Sequence, residues 1–225
     1  MSLPITKLAA SIDHTLLRPD ATPDEIAQLC AEAVQFKFAT VCVPPCYVRF
    51  AAEQLRGAIP VCTVVGFPLG YQITKVKFFE AHQALNDGAT EIDMVINIGA
   101  FKSGRVEEVE EEIGQLVELC HFKNAILKVI IETALLTEEE IITACRICAA
   151  VGADFVKTST GFAARGASVA DITLMRDHLP PRVRIKAAGG IRTRVAALAL
   201  LAAGAHRIGS SNSLILLKED EIPAT

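Results

Sequence analysis

No apolar run in this sequence is long enough to cross a membrane. A spanning helix needs ~18 or more apolar residues, and the longest run, around Val195 to Ala205, is interrupted by Gly204. No surplus of basic residues is present either. The formal net charge is −4, whereas a phosphate backbone demands excess Lys and Arg, so nucleic acid is not an expected partner. Charged residues make up only 21% of the chain against 51% hydrophobic, which excludes a disordered or tail-like protein. An even set of cysteines is lacking. The seven (Cys30, Cys42, Cys46, Cys62, Cys120, Cys145 and Cys148) are scattered through apolar segments, as suits reduced thiols better than a disulfide framework. The C-x-x-C of Cys145 and Cys148 falls inside a helical pattern with no second pair, so core packing is its expected role.

Metal-ligand spacing is also missing. His14, His82, His121, His178 and His206 are dispersed, and no metal or cofactor is expected. The opening MSLPITKLAA carries one Lys and no long apolar core, so it does not read as a signal peptide, and the scattered reduced cysteines suit an expected cytoplasmic location. No linker or low-complexity tract divides the 225 residues. One domain over 1–225 is expected, with a polar tail from about 218.

What is present is a regular alternation. Eight short runs rich in Val and Ile recur along the chain: Ser11–Leu17, Ala39–Val43, Val61–Phe67, Glu91–Asn97, Ile126–Thr133, Asp154–Ser159, Arg184–Ala188 and Arg207–Ser210. Each is too short for a helix, and most are almost continuously apolar, as parallel strands covered on both faces are. Between them lie helix signals. Thr22-Pro-Asp-Glu25 and Thr137-Glu-Glu-Glu140 read as capping boxes, and Ser168 with Asp171 as a weaker start. Gly88, Gly152 and Gly204 each precede Ala and a strand, where a left-handed residue ends a helix. Eight βα units favour a closed (β/α)8 TIM barrel of the α/β class. The alternative, an open doubly wound sheet, lacks a G-x-G-x-x-G after the first strand.

Ionisable residues interrupt these strands: Asp93, Lys128, Lys157 and Lys186. Side chains alternate across a strand, and in each run the apolar parity falls on the opposite face. If that parity packs on the helices, all four charges point into the barrel. The lysines are evenly spaced (157 − 128 = 29 and 186 − 157 = 29), which places them side by side on strands five, six and seven. Two readings stand. One is an internal salt-bridge network in which Asp93 and Glu132 neutralise the lysines, with Lys128–Glu132 the strongest candidate pair. The other is a catalytic centre, where neighbouring ammonium groups and partial desolvation free an amine, whose ordinary pKa is roughly 10.4, to act as nucleophile.

Glycines and small polar residues follow the late strands: Thr158-Ser-Thr-Gly161, Ala188-Gly-Gly190 and Gly209-Ser-Ser-Asn212. Barrel enzymes commonly hold phosphate with loops of this position, so a phosphorylated substrate is expected.

On Ile12-Asp-His-Thr-Leu-Leu17, Glu91-Ile-Asp-Met-Val-Ile-Asn97, Leu127-Lys-Val-Ile-Ile-Glu-Thr133, Phe155-Val-Lys-Thr-Ser-Thr-Gly161 and Lys186-Ala-Ala-Gly-Gly-Ile-Arg192, the sequence resembles the deoxyribose-phosphate aldolase family. The resemblance covers almost the whole chain. It implies a class I, metal-independent lyase that cleaves 2-deoxyribose 5-phosphate reversibly to acetaldehyde and glyceraldehyde 3-phosphate. Small phosphorylated sugars and aldehydes are then the partners, and a homodimer or homotetramer the assembly. By motif position Lys157 matches the Schiff-base lysine, and Asp93 and Lys186 the proton-transfer pair. Gly161, Gly189, Gly190 and Ser211 correspond to phosphate-binding positions, with Lys128 and Asp13 supporting. Two alternatives stay open: a Schiff-base lyase for another aldehyde, and a non-catalytic phosphosugar-binding barrel. The sequence departs from some members at Phe162, where they carry Lys, at the loop Ala163-Ala-Arg-Gly166, and in having no Tyr after Tyr71. Arg165 is the expected substitute for the cation missing at Phe162.

Overall fold

A computed structural model describes residues 4–218. The polar tail expected beyond about 218 lies outside these residues. Eight parallel strands close on themselves in sequence order: β1 Ile12–Thr15, β2 Thr40–Val43, β3 Val61–Val65, β4 Glu91–Val95, β5 Ile126–Ile130, β6 Phe155–Lys157, β7 Arg184–Ala188 and β8 Arg207–Ser210. Each of the eight apolar runs forms a strand. Several strands stop short of the run's end because the last residues turn out into loops at the C-terminal rim.

Helices connect and cover them: α1 Ile5–Ala9, α2 Pro23–Phe36, α3 Val48–Leu55, α4 Thr74–Asn86, α5 Ile98–Lys102, α6 Val106–Phe122, α7 Glu138–Ala150, α8 Val169–His178, α9 Arg194–Ala202 and α10 Ser213–Leu217. Their starts are built as the sequence signals predict. Thr22 and Thr137 form complete capping boxes with Glu25 and Glu140, each joining two otherwise unpaired backbone donors to a side chain. Ser168 accepts from the Asp171 amide at the head of α8. Gly88, Gly152 and Gly204 all take positive φ. Among the described residues no helix is long and apolar enough to cross a membrane.

The main core lies between barrel and helices. Ile92, Met94, Leu127, Val129, Val156, Ile185 and Ile208 contribute to it, all of one strand parity. Cys145 and Cys148 of α7 belong to the same core, and burial pushes both thiols up, Cys145 to about 12. The opposite parity fills the barrel. There Cys42, Cys62 and Val64 form a small apolar cluster on one side, and the other side is occupied by charge.

Candidate active site

All four strand charges are fully or almost fully buried inside the barrel. Their arrangement is not a simple row. The register pairs Lys157 with Lys186, but Lys128 with Phe155. The equal spacing of 29 in sequence therefore does not put three lysines at one level. Lys128 sits two residues lower, and only Lys157 and Lys186 are level near the C-terminal mouth.

Asp93 joins the two levels. Its Oδ1 accepts from Lys128 Nζ at 2.8 Å, and its Oδ2 accepts from Lys157 Nζ at 2.8 Å and Lys186 Nζ at 2.7 Å. Asp13 on β1 adds a second carboxylate, 2.5 Å from Lys186 Nζ and 2.6 Å from an Arg207 nitrogen. Glu91 completes the neutralisation 2.6 Å from Lys128 Nζ. The expected partnership of Lys128 with Glu132 is not formed. Glu132 follows the end of β5 with a left-handed backbone, φ 53°, and its carboxylate turns to the backbone N–H and hydroxyl of Thr160. That change of backbone hand ends the strand parity on which the pairing relied.

Burial by itself opposes every charge in this floor. At Asp93 and Asp13 the facing ammonium groups outweigh burial and hold both carboxyls below their ordinary range, Asp93 well below. Lys186 and Lys128 are shifted the other way. Burial would lower them, yet Asp13 and Asp93 at Lys186, and chiefly Asp93 at Lys128, raise both above the usual lysine value. The expectation that neighbouring lysines would depress one another is thus reversed at these two positions, because carboxylates stand between them.

Glu91 and Arg207 were not anticipated as parts of this network. The signal was available. Glu91 shares the inward parity of Asp93 two residues on, and Arg207 opens β8 in register with Lys186. Cys62 also belongs here, its Sγ 3.2 Å from both Asp93 Oδ1 and Lys128 Nζ. With Cys42 and Asp93 it makes the group of ligand-type atoms that lie within 4.8 Å of one another. A divalent cation there would have to displace ammonium groups already bonded to Asp93, so the donor set does not suit a resident metal.

Above this floor opens a cleft of about 350 Å³, with Lys157 at its base. Gly161, Gly189, Gly190 and Ser211, all expected at a phosphate subsite, line it. Gly189 and Gly190 hold φ of 85° and 73°, a backbone that L side chains rarely adopt and that lets successive N–H groups face a ligand. Gly166 is a further requirement. A Cβ there would lie 1.9 Å from the Gly189 carbonyl oxygen, so the loop after β6 can lie against the loop after β7 only as glycine.

Arg165 does not take the place expected of it. Its guanidinium binds Asp171 and donates to the Thr133 carbonyl at 2.9 Å, away from the cleft. The arginines that line the cleft are Arg18 and Arg192. Arg18 is already engaged by Asp20 and Glu25, which leaves Arg192, beside the two glycines, as the better cation for an anionic ligand. Phe162 instead meets Phe67 edge-on at 5.3 Å across the rim.

Inward lysines below glycine-rich rim loops, at the C-terminal end of a parallel (β/α)8 barrel, place this site where barrel enzymes carry theirs. Residues 7–216 match the family described as DeoC/LacD family aldolase, and the chain belongs to that family. It is 51% identical to a deoxyribose-phosphate aldolase of Clostridium kluyveri over 95% of this chain and 98% of that one. It is equally 51% identical to a deoxyribose-phosphate aldolase of Thermococcus gammatolerans over 94% and 95%. A solved structure described as a tetrameric deoxyribose phosphate aldolase from Aeropyrum pernix superposes with a TM-score of 0.88 at 34% identity, covering 95% and 91%.

Proposed function

We propose that this aldolase cleaves 2-deoxy-D-ribose 5-phosphate reversibly to acetaldehyde and D-glyceraldehyde 3-phosphate through a Schiff base on Lys157, as a step in deoxyribose phosphate catabolism. The observation that carries the reading is Asp93 Oδ2 accepting from Lys157 and Lys186 together at the base of a cleft with a rim suited to phosphate. The names of the relatives support the substrate.

The chemistry needs an amine that can lose its proton and a network that can return it. The neutral Lys157 amine adds to the C1 aldehyde of the open-chain sugar, and loss of water gives an iminium. Removal of the C3 hydroxyl proton then breaks the C2–C3 bond. Its electrons flow into the iminium, leaving an enamine and releasing glyceraldehyde 3-phosphate. Protonation of the enamine at C2 and hydrolysis release acetaldehyde and free the lysine. Asp93 and Lys186, already bonded to one another, are suited to carry these protons. Lys128 and Asp13 hold that pair in place and balance its charge. The phosphate falls to Gly161, Gly189, Gly190 and Ser211, with Arg192 beside them. No metal or cofactor is required, because the iminium itself is the electron sink.

The same reading carries a cytoplasmic location and a homo-oligomer, dimer or tetramer. The tetramer described for the Aeropyrum pernix protein supports the latter. Borohydride reduction with acetaldehyde, followed by peptide mass spectrometry, tests the chemistry. A two-carbon adduct is expected on Lys157. An adduct on Lys186 or Lys128, or none at all, would sink the assignment.

A further inference from the structure

His14 stands on β1 between Asp13 and Thr15, but its parity is the outward one, so its ring leaves the barrel and enters the layer between β1, α2 and α10. It is 4% exposed, and Phe38 packs against it at 4.8 Å. A leucine would fill such a space at no polar cost. An imidazole fills it only if both nitrogens are partnered. They are: Nε2 lies 2.8 Å from Glu32 Oε2 on α2, and Nδ1 lies 2.9 Å from Ser213 Oγ at the start of α10.

Ser213 is completely buried, and its hydroxyl donates to the Ser210 carbonyl at 3.0 Å. Ser210 ends β8 and belongs to the cleft wall. The Ser210 hydroxyl accepts from the Asn212 N–H at 3.1 Å and donates to the Ile191 carbonyl at 3.4 Å. One chain of bonds therefore runs from α2 through His14 and Ser213 to the turn 210–212, and onward to the segment that follows Gly189 and Gly190. The Ser213 hydroxyl carries one proton; with that proton on the Ser210 carbonyl, Ser213 Oγ accepts from His14 Nδ1–H, and in that arrangement the chain runs unbroken.

We infer that His14 is a positioning residue for the phosphate subsite, fixing the β8–α10 turn through Ser213 without touching substrate. The inference rests on the reading of the cleft rim as a phosphate site. A turn held at both ends presents its donors in one geometry. One released at Ser213 has to be ordered by the ligand, and that ordering weakens binding. The amine floor is built from other side chains and does not pass through this chain of bonds.

The test compares 2-deoxyribose 5-phosphate with unphosphorylated 2-deoxyribose as substrates of the wild type, His14→Leu, Ser213→Ala and the double variant. For each single variant, KM for the phosphorylated sugar should rise roughly tenfold, as for one lost hydrogen bond, with kcat within about twofold of wild type. By contrast, kcat/KM for the unphosphorylated sugar should stay unchanged. The double variant should be no worse than the worse single one, since both cut the same chain of bonds, and His14→Gln should recover part of the loss. A parallel fall for both sugars in every variant would reduce His14 to a packing residue and overturn the inference. Should His14→Leu fail to fold by circular dichroism, Ser213→Ala decides alone by the same ratio. If the wild type itself shows no preference for the phosphorylated sugar, the phosphate reading fails first, and that is seen before any variant is made.

Discussion

At Asp93 one carboxylate is shared by three ammonium groups, and removing any one of them changes how tightly the others are held. Lys186 is the informative case. Replacing it with Met removes a positive neighbour from Lys157 and leaves Asp93 with fewer ammonium groups to satisfy. Both effects favour the ammonium form of Lys157 over the neutral amine that attacks the aldehyde. The rate of borohydride-trapped adduct on Lys157 should fall in Lys186→Met and recover in part as pH rises toward 9 or 10, roughly the ordinary lysine range. Superimposable pH profiles in variant and wild type would leave Lys186 only a role in moving protons.

Elements decide what sequence parity alone does not. Inward and outward faces were legible for β4, β5, β6 and β7, because a charge in an otherwise apolar strand marks its own side. Register was not. The offset is 27 residues between β5 and β6 but 29 between β6 and β7 (Lys128 to Phe155, Lys157 to Lys186), and neither the spacing nor the composition of the intervening helices reveals the difference. Loop contacts were equally hidden. Arg165 is basic and follows the sixth strand, yet Asp171 at the head of α8 captures it. The glycines of the rim were legible as motif, but the contact between Gly166 and Gly189 exists only once two loops meet. Gly166→Ala should force those loops apart, since the clash is with backbone and not with a movable side-chain tip. A drop of about tenfold or more in kcat/KM for the phosphorylated sugar is expected, of the order that a small misplacement of binding groups produces. The far-ultraviolet spectrum should remain that of the wild type. Full activity in this variant would show that the β6–α8 loop is free to sit elsewhere.

For the molecule as a whole, the charged floor couples stability to pH. The Asp93 carboxyl is held well below its ordinary value in the folded protein, while the unfolded chain restores a value of about 3.9. Its contribution is therefore fully present above the unfolded value and is lost as pH falls through the folded one. Asp93→Asn leaves buried ammonium groups short of a partner, which costs about 3–5 kcal/mol when a buried pair is broken. The gap in melting temperature between wild type and Asp93→Asn should be widest above about pH 5 and close progressively from about pH 4 downward. A gap independent of pH would mean that Asp93 does not titrate with folding. The division between strand-borne floor and loop-borne rim has a practical corollary for redesign. On the proposed reading, a mutant library confined to 162–165, 191–192 and 211–212 would vary which aldehyde tail is accepted, while the residues proposed to make and break the carbon–carbon bond are inherited intact.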